Sequence, residues 1–427
     1  MNNTRWTLLL LIVALGPAGC SGPTLMPTPV AFDSGVDPIA ETPVSEHDTT
    51  ARVFIVTDRK PSGRTDSPAD FYSNDRDYGL RVGVATVALA RDMTWDELHA
   101  QSLKTRRTRN PKIALTGYEQ FGALWTDIPP LDAASVEDRD VTARFGDELR
   151  AALAATDRNE IYIFVHGFNT KFAPNTQIAA ELHHYLGRRG AFISYEWPSQ
   201  GSMFKYDVDK AAAHYSARYF RLLLTFLAEE TDAQINIIAH SAGAPVAVGG
   251  VSQLCLMHYD EDLADVRARY RIRHLVLVAP DMDLGLFENA IHDEMPGVPE
   301  EMTIYMSTRD KALSISAWLH GFAALGSAMT QLTPSDLAFL ETHPDVEIID
   351  VGGAEKNHGS WLGHSYFHDD PWVASDIIMT LRFGPDAPPQ ERGLVQDDDD
   401  PIWSFPKDYP ERARAAAARL YGGGEAE

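Results

Sequence analysis

Residues 235–243 read Ile-Asn-Ile-Ile-Ala-His-Ser-Ala-Gly, and this run constrains the chain more than any other. Its apolar, largely β-branched start reads as a buried strand. The strand runs straight into Ser241, and a helical period of small and apolar residues follows over Ala242 to Met257. A serine at such a corner has an exposed hydroxyl, and the positions two before and two after it must be small for the turn to close. Here they are Ala239 and Gly243. The helix beginning at Ala242 aims free N–H groups and the positive end of its dipole at the same point. Pro245 falls in the first turn, where a missing N–H costs nothing. Ser241 is therefore the candidate nucleophile.

The surrounding chain has the pattern such a corner needs. Strands are expected at Val53–Val56, Leu80–Val87, Ile161–Val165, Ala191–Tyr195, Ile235–Ile238, Leu275–Val278, Thr303–Met306 and Val346–Val351. Helical periods fill 177–188, 207–229 and 242–257. Strands alternating with helices imply a mostly parallel central sheet with helices on both faces. Lys60 to Tyr78 is polar and reads as a loop, whereas residues 88–135 carry no clear period.

A second signal is Phe164-Val165-His166-Gly167-Phe168-Asn169, directly after the strand at Ile161. Gly167 permits a tight turn there, and the backbone N–H of Phe168 can join that of Ala242 to form an oxyanion hole. Each such donor is worth roughly 3 kcal/mol to a tetrahedral intermediate. His166 reads as a structural residue that holds the loop. Trp197-Pro198, after the strand ending at Tyr195, either shapes a pocket or packs beneath a loop.

A serine needs a base and an acid that orients the base. In this arrangement they follow in the chain order serine, acid, histidine. The acid is expected at Asp310, just after the strand ending at Met306, with Asp281 and Asp283 as rivals. The base is expected at His364, after the last strand, with His358 and His368 as alternatives. No metal or cofactor enters this chemistry.

The ends read differently from the middle. Residues 1–20 hold one basic residue, Arg5, an apolar stretch from Trp6 to Leu15, and Gly-Pro-Ala-Gly before Cys20. This is the order of an export signal, and the apolar stretch is shorter than the ~20 residues a membrane-spanning helix needs. The Ala-Gly-Cys ending resembles a bacterial lipoprotein leader, which implies lipidation of Cys20 and a membrane-anchored protein of the cell envelope. Residues 21–50, rich in Pro, Thr and Ser, read as a disordered tether. Residues 386–427, with Asp397–Asp400, read as an acidic C-terminal tail. The only other cysteine, Cys255, lies in an apolar run, so no disulfide framework exists. A net charge of −24 argues against nucleic acid as a partner.

Taken with Glu196-Trp197-Pro198-Ser199-Gln200-Gly201, Ala279-Pro280-Asp281, Ser307-Thr308-Arg309-Asp310-Lys311 and Val53-Phe54-Ile55-Val56-Thr57-Asp58-Arg59, the two motifs resemble a bacterial α/β-hydrolase family of unknown function. The resemblance covers residues 51–385. It implies the α/β-hydrolase fold, with Ser241, Asp310 and His364 as a triad. The activity expected is that of a serine esterase acting on an ester or related acyl bond in a small or lipid-like substrate. The alternative is a catalytically silent domain of the same fold that binds or assembles envelope components, since a fold does not guarantee its chemistry.

Overall fold

The computed structural model describes residues 23–33, 35–126, 136–307, 340, 342–354, 366–397 and 401–422. Its strands are β1 (Thr50–Pro61), β2 (Tyr72–Ala88), β3 (Ala114–Thr126), β4 (Glu160–Val165), β5 (Ala191–Glu196) and β6 (Gln234–His240). They continue with β7 (Ile272–Val278), β8 (Glu301–Met306), β9 (Val346–Asp350), β10 (Val395–Gln396) and β11 (Trp403–Ser404). All lie in one sheet, in the order β10-β11-β9-β8-β7-β6-β4-β5-β1-β2-β3. From β1 through β5, β4, β6, β7, β8 and β9 to β11 every pairing is parallel. β2 and β3 extend one edge as antiparallel strands.

The helices are α1 (Trp95–Ser102), α2 (Val136–Ala154), α3 (Phe172–Tyr185), α4 (Tyr206–Glu230), α5 (Ala244–Met257) and α6 (Leu263–Tyr270). After these come α7 (Leu284–His292), α8 (Tyr366–Asp369), α9 (Pro371–Phe383) and α10 (Tyr409–Tyr421). One core joins a face of the sheet to α1, α3, α9 and α10. The other face packs on α2, α4, α5, α6 and α7. Coverage on both sides explains why β4, β5 and β7 are buried at every residue and why Ile161–Val165 reads as an unbroken apolar run. The mostly parallel sheet with flanking helices is the α/β architecture expected from the alternation. Among the described residues no helix is long and apolar enough to cross a membrane.

Three expectations fail for identifiable reasons. The loop expected over Lys60–Tyr78 is shorter than that, because β1 and β2 carry their pairing from Thr50↔Ala88 out to Pro61↔Tyr72 and leave residues 62–71 between them. That outer part is half-exposed, so its side chains are polar although its backbone is paired. The unpatterned stretch holds α1, started by a Thr94–Glu97 capping box, and β3, a sheet-edge strand with few buried positions.

Residues 23–50 are not a disordered tether where they are described. They form 3-10 turns at Val30–Phe32, Pro38–Glu41 and Val44–Glu46, and Leu25, Met26, Val30, Phe32 and Ile39 are buried in the first core. Apolar residues set singly between prolines have no period to read, yet each finds a site on the domain. The docking is also polar. Arg107 Nη1 donates to the Leu25 carbonyl at 2.7 Å, the Ala31 N–H donates to Ser375 Oγ at 3.1 Å, and the Met26 N–H donates to the Glu181 carboxyl.

Burial raises the Glu181 pKa to about 8. The folded state therefore holds its proton above the pH at which the unfolded chain releases it. Stability from this group is full below the ordinary glutamate pKa and is lost as pH rises towards about 8. Glu181→Gln keeps the acceptor without the titration. Urea denaturation of the variant should gain on wild type as pH rises from about 4.5 to about 8; a pH-independent difference would contradict a buried Glu181.

The acidic tail is likewise part of the domain where it is described. β11 joins β9 in parallel and β10 pairs with β11, while Phe405, Tyr409, Ala413 and Ala417 of the tail are buried. On α10 Tyr409, Ala413, Ala416 and Ala417 are buried on the face that packs on α9 and on the Val30–Phe32 turn, and the arginines lie off that face. Residues 398–400 of the acidic run lie outside the described residues, as does the leader with Cys20.

Candidate active site

From β4 the chain moves to β5 on one side, then returns to β6 on the other side of β4. Connections leaving in opposite directions open a crevice beyond the carboxyl ends of the two strands, the usual ligand position in open α/β sheets. The two motifs end on these strands. Val165 closes β4 and His240 closes β6, in register with Val165↔Ala239.

Ser241 follows β6 with φ 53°, in the left-handed region. For a residue with a Cβ this costs about 1–2 kcal/mol, and it turns the side chain out of the strand direction. A 3-10 turn over Ser241–Gly243 leads into α5, with Pro245 in the first turn as expected. Two glycines let the neighbouring loops meet here. A Cβ on Gly243 would lie 2.5 Å from the His166 carbonyl oxygen and 2.7 Å from that of Val165. A Cβ on Gly167 would lie 2.9 Å from both His240 Nδ1 and Ser241 Cβ. The loop after β4 thus touches the serine corner, and Ser241 and Ala242 are each 2% exposed.

The loop after β4 is held from below. The His166 ring is buried and stacked on Trp197, with centroids 5.0 Å apart and planes 12° apart. Trp197 Nε1–H donates to the His166 carbonyl at 2.6 Å. Trp197 is completely buried, so of its two readings it packs beneath the loop. The Phe168 ring meets Tyr206 edge-on at 5.2 Å. Asp209, buried on α4, accepts from Ser199 Oγ at 2.6 Å and from the Gln200 N–H at 2.7 Å, and burial raises its pKa.

Of the acid candidates, Asp281 lies closest to the corner on the described chain. Its N–H donates to the Ser241 carbonyl at 3.1 Å, and its Oδ2 accepts from the Tyr206 hydroxyl at 2.6 Å. Asp283 caps α7, accepting from the Leu286 N–H at 3.1 Å. Asp310 lies outside the described residues, three positions beyond Ser307, which is buried at the carboxyl end of β8.

Among the base candidates only His368 is described. Its Nδ1 is 3.2 Å from Asp369 Oδ1 and its ring stacks on Phe367 at 4.7 Å. Phe367 in turn packs on His240 at 4.5 Å and on Phe164 at 5.6 Å. The chain three residues after His364 therefore rests on the residue that precedes Ser241. His358 and His364 lie outside the described residues.

The sequence pattern does not single out a buried polar cluster behind the loop. Arg59 and Glu196, with Asn175, Ser194 and Thr176, are all buried there. Burial raises the Glu196 pKa to about 7, against the opposing charge of Arg59 and the hydrogen bonds of its neighbours. The available signal was a charged pair, Asp58-Arg59, at the end of an apolar strand, where a buried charge needs partners. Among the described residues no group of three or more His, Cys, Asp or Glu is placed to hold a metal ion.

A mostly parallel sheet, a left-handed serine at a strand-to-helix corner and a glycine loop against it define the class of α/β hydrolases. Residues 142–382 match the family described as alpha/beta hydrolase of unknown function (DUF900), and the chain belongs to that family. No curated protein and no solved structure is significantly similar to the chain.

Proposed function

We propose that the protein is a serine hydrolase that cleaves an ester or related acyl bond through an acyl-enzyme on Ser241. His364 takes the Ser241 proton as the bond to the acyl carbon forms. Asp310 holds the imidazole tautomer, and the N–H groups of Phe168 and Ala242 receive the oxyanion. His364 then protonates the leaving group, and water, deprotonated by the same base, releases the acid product. The observation that carries this reading is the left-handed Ser241, at φ 53° with Gly167 against it, since backbone strain of this kind persists where a side chain must be aimed. Phe367 packed on His240 favours a base drawn from the segment just before it. The leader ending in Cys20 adds the proposal that the enzyme is exported, lipid-anchored in the cell envelope and acts on small or lipid-like acyl substrates, not on nucleic acid.

The test is turnover of p-nitrophenyl esters of increasing acyl length by the purified full-length protein. Activity is expected, lost in His364→Gln and Asp310→Asn and retained in His358→Gln. Loss in Asp281→Asn but not in Asp310→Asn would move the acid to Asp281. No turnover of any ester by the folded protein would favour a silent binding module.

A further inference from the structure

Arg59 closes the apolar part of β1, far in sequence from the serine corner, and is completely buried. Its guanidinium makes four hydrogen bonds. Nη1 donates to Asn74 Oδ1 at 3.0 Å and to the Ser199 carbonyl at 3.2 Å. Nη2 donates to the Thr170 carbonyl at 2.9 Å and to His166 Nε2 at 3.2 Å. Nε faces Glu196 Oε2 at 3.8 Å. A planar fork of fixed donors sets the direction of every acceptor it meets, and these acceptors bracket the loop from His166 to Thr170.

The contact with His166 carries most of the consequence. Nε2 also lies 3.0 Å from the Trp197 carbonyl, but a proton there would meet that carbonyl alone and would face the Arg59 donor. A proton on Nδ1 instead lets the ring accept from Arg59 and donate to Gly167, so the contacts favour an unprotonated Nε2. The proton of the neutral ring is then on Nδ1, which donates to the Gly167 carbonyl at 2.8 Å. Burial first, and the charge of Arg59 second, hold the ring far below its ordinary pKa, so it stays neutral. The Gly167 carbonyl belongs to the same planar peptide as the Phe168 N–H. In a trans peptide the two point in opposite directions. Fixing the carbonyl on His166 therefore fixes where the Phe168 N–H points.

We propose that Arg59 is a positioning residue of the active site: by setting the His166 tautomer and holding Thr170, it aims the Phe168 N–H at the reacting centre. This role rests on the oxyanion function given to Phe168 above. It also explains why the strand pair β1–β2 belongs to the enzyme although the nucleophile, base and acid all lie beyond it. Glu196 beneath the guanidinium offsets its buried charge, while Asn74 and Ser199 fix its remaining donors.

Arg59→Lys keeps the charge but replaces the fork with one ammonium group, and Arg59→Gln removes the charge. Two measurements on the full-length protein separate positioning from general support. The first is the second-order rate of fluorophosphonate labelling per folded molecule. It should fall on the order of 100-fold in Arg59→Lys, the loss that an ångström of misplacement brings. The second is amide hydrogen exchange, which should accelerate in the peptide spanning 166–171 and remain unchanged in β4 and β6. Should Arg59→Gln fail to fold, Arg59→Lys carries the test alone. An unchanged labelling rate together with unchanged loop exchange in Arg59→Lys would overturn the proposal. If wild type itself does not label, the hydrolase reading fails. The exchange experiment then decides the role of Arg59 alone: acceleration confined to the loop supports it, and none rejects it.

Discussion

Ser241→Gly is expected to abolish ester turnover and fluorophosphonate labelling, and still to give a protein more stable than Ser241→Ala. Both variants lose the only oxygen that can carry the acyl group in the proposed mechanism. They differ in the backbone. At φ 53° a residue with a Cβ sits in the left-handed region, at a cost of about 1–2 kcal/mol that glycine does not bear. Glycine loses more conformational freedom on folding, by roughly 0.5–1 kcal/mol. The net expectation is that the Gly variant exceeds the Ala variant by up to about 1.5 kcal/mol, read by urea denaturation. A Gly variant clearly weaker than the Ala variant would mean that position 241 is not held in a strained turn.

Arg392→Met is expected to destabilise the fold by roughly 3–5 kcal/mol, because it strands a buried carboxylate. Arg392 is completely buried, within the stretch that its composition marks as an acidic tail. Its Nε donates to Asp376 Oδ1 at 3.0 Å, Nη2 to Glu347 Oε2 at 3.2 Å, and Nη1 to the Ala387 carbonyl at 2.7 Å. Burial works against this charge, but Asp376 and Glu347 outweigh it and raise the guanidinium above its ordinary range. Asp376 also accepts from the Tyr305 hydroxyl at 2.7 Å, so the cluster ties α9, β8 and β9 to the C-terminal segment. Adding Asp376→Leu to Arg392→Met should recover much of the loss, since no unpaired aspartate remains. A change within about 0.5 kcal/mol for Arg392→Met is what a surface position would give, and it would return residues 386–427 to the status of a tail.

These two residues mark what was legible in the sequence. Ser241 could be read because its setting is local. A buried strand, a small-residue turn and a helix follow within one stretch, and each has its own composition. The parallel sheet was legible for the same reason, since β4, β6 and β7 are covered on both faces and each carries a short, mostly apolar run. Arg392 could not be read, because its partners Glu347 and Asp376 come from other elements and its neighbours are acidic and polar. Residues 23–50 misled similarly. Their composition is that of a flexible segment, and only docking on α9, α10 and Glu181 gives Leu25, Phe32 and Ile39 somewhere to be buried. Arg59 lay between these cases, with its strand legible but its contacts with His166 and Thr170 visible only in three dimensions.

An activated nucleophile at Ser241 would be captured as a covalent adduct. The full-length protein would be treated with a fluorophosphonate, digested, and the modified residue located by mass spectrometry. A single phosphonyl adduct is expected on Ser241, formed faster than on heat-unfolded protein and absent from Ser241→Ala. An unmodified Ser241 in the folded protein, or an adduct that persists in Ser241→Ala, would contradict it.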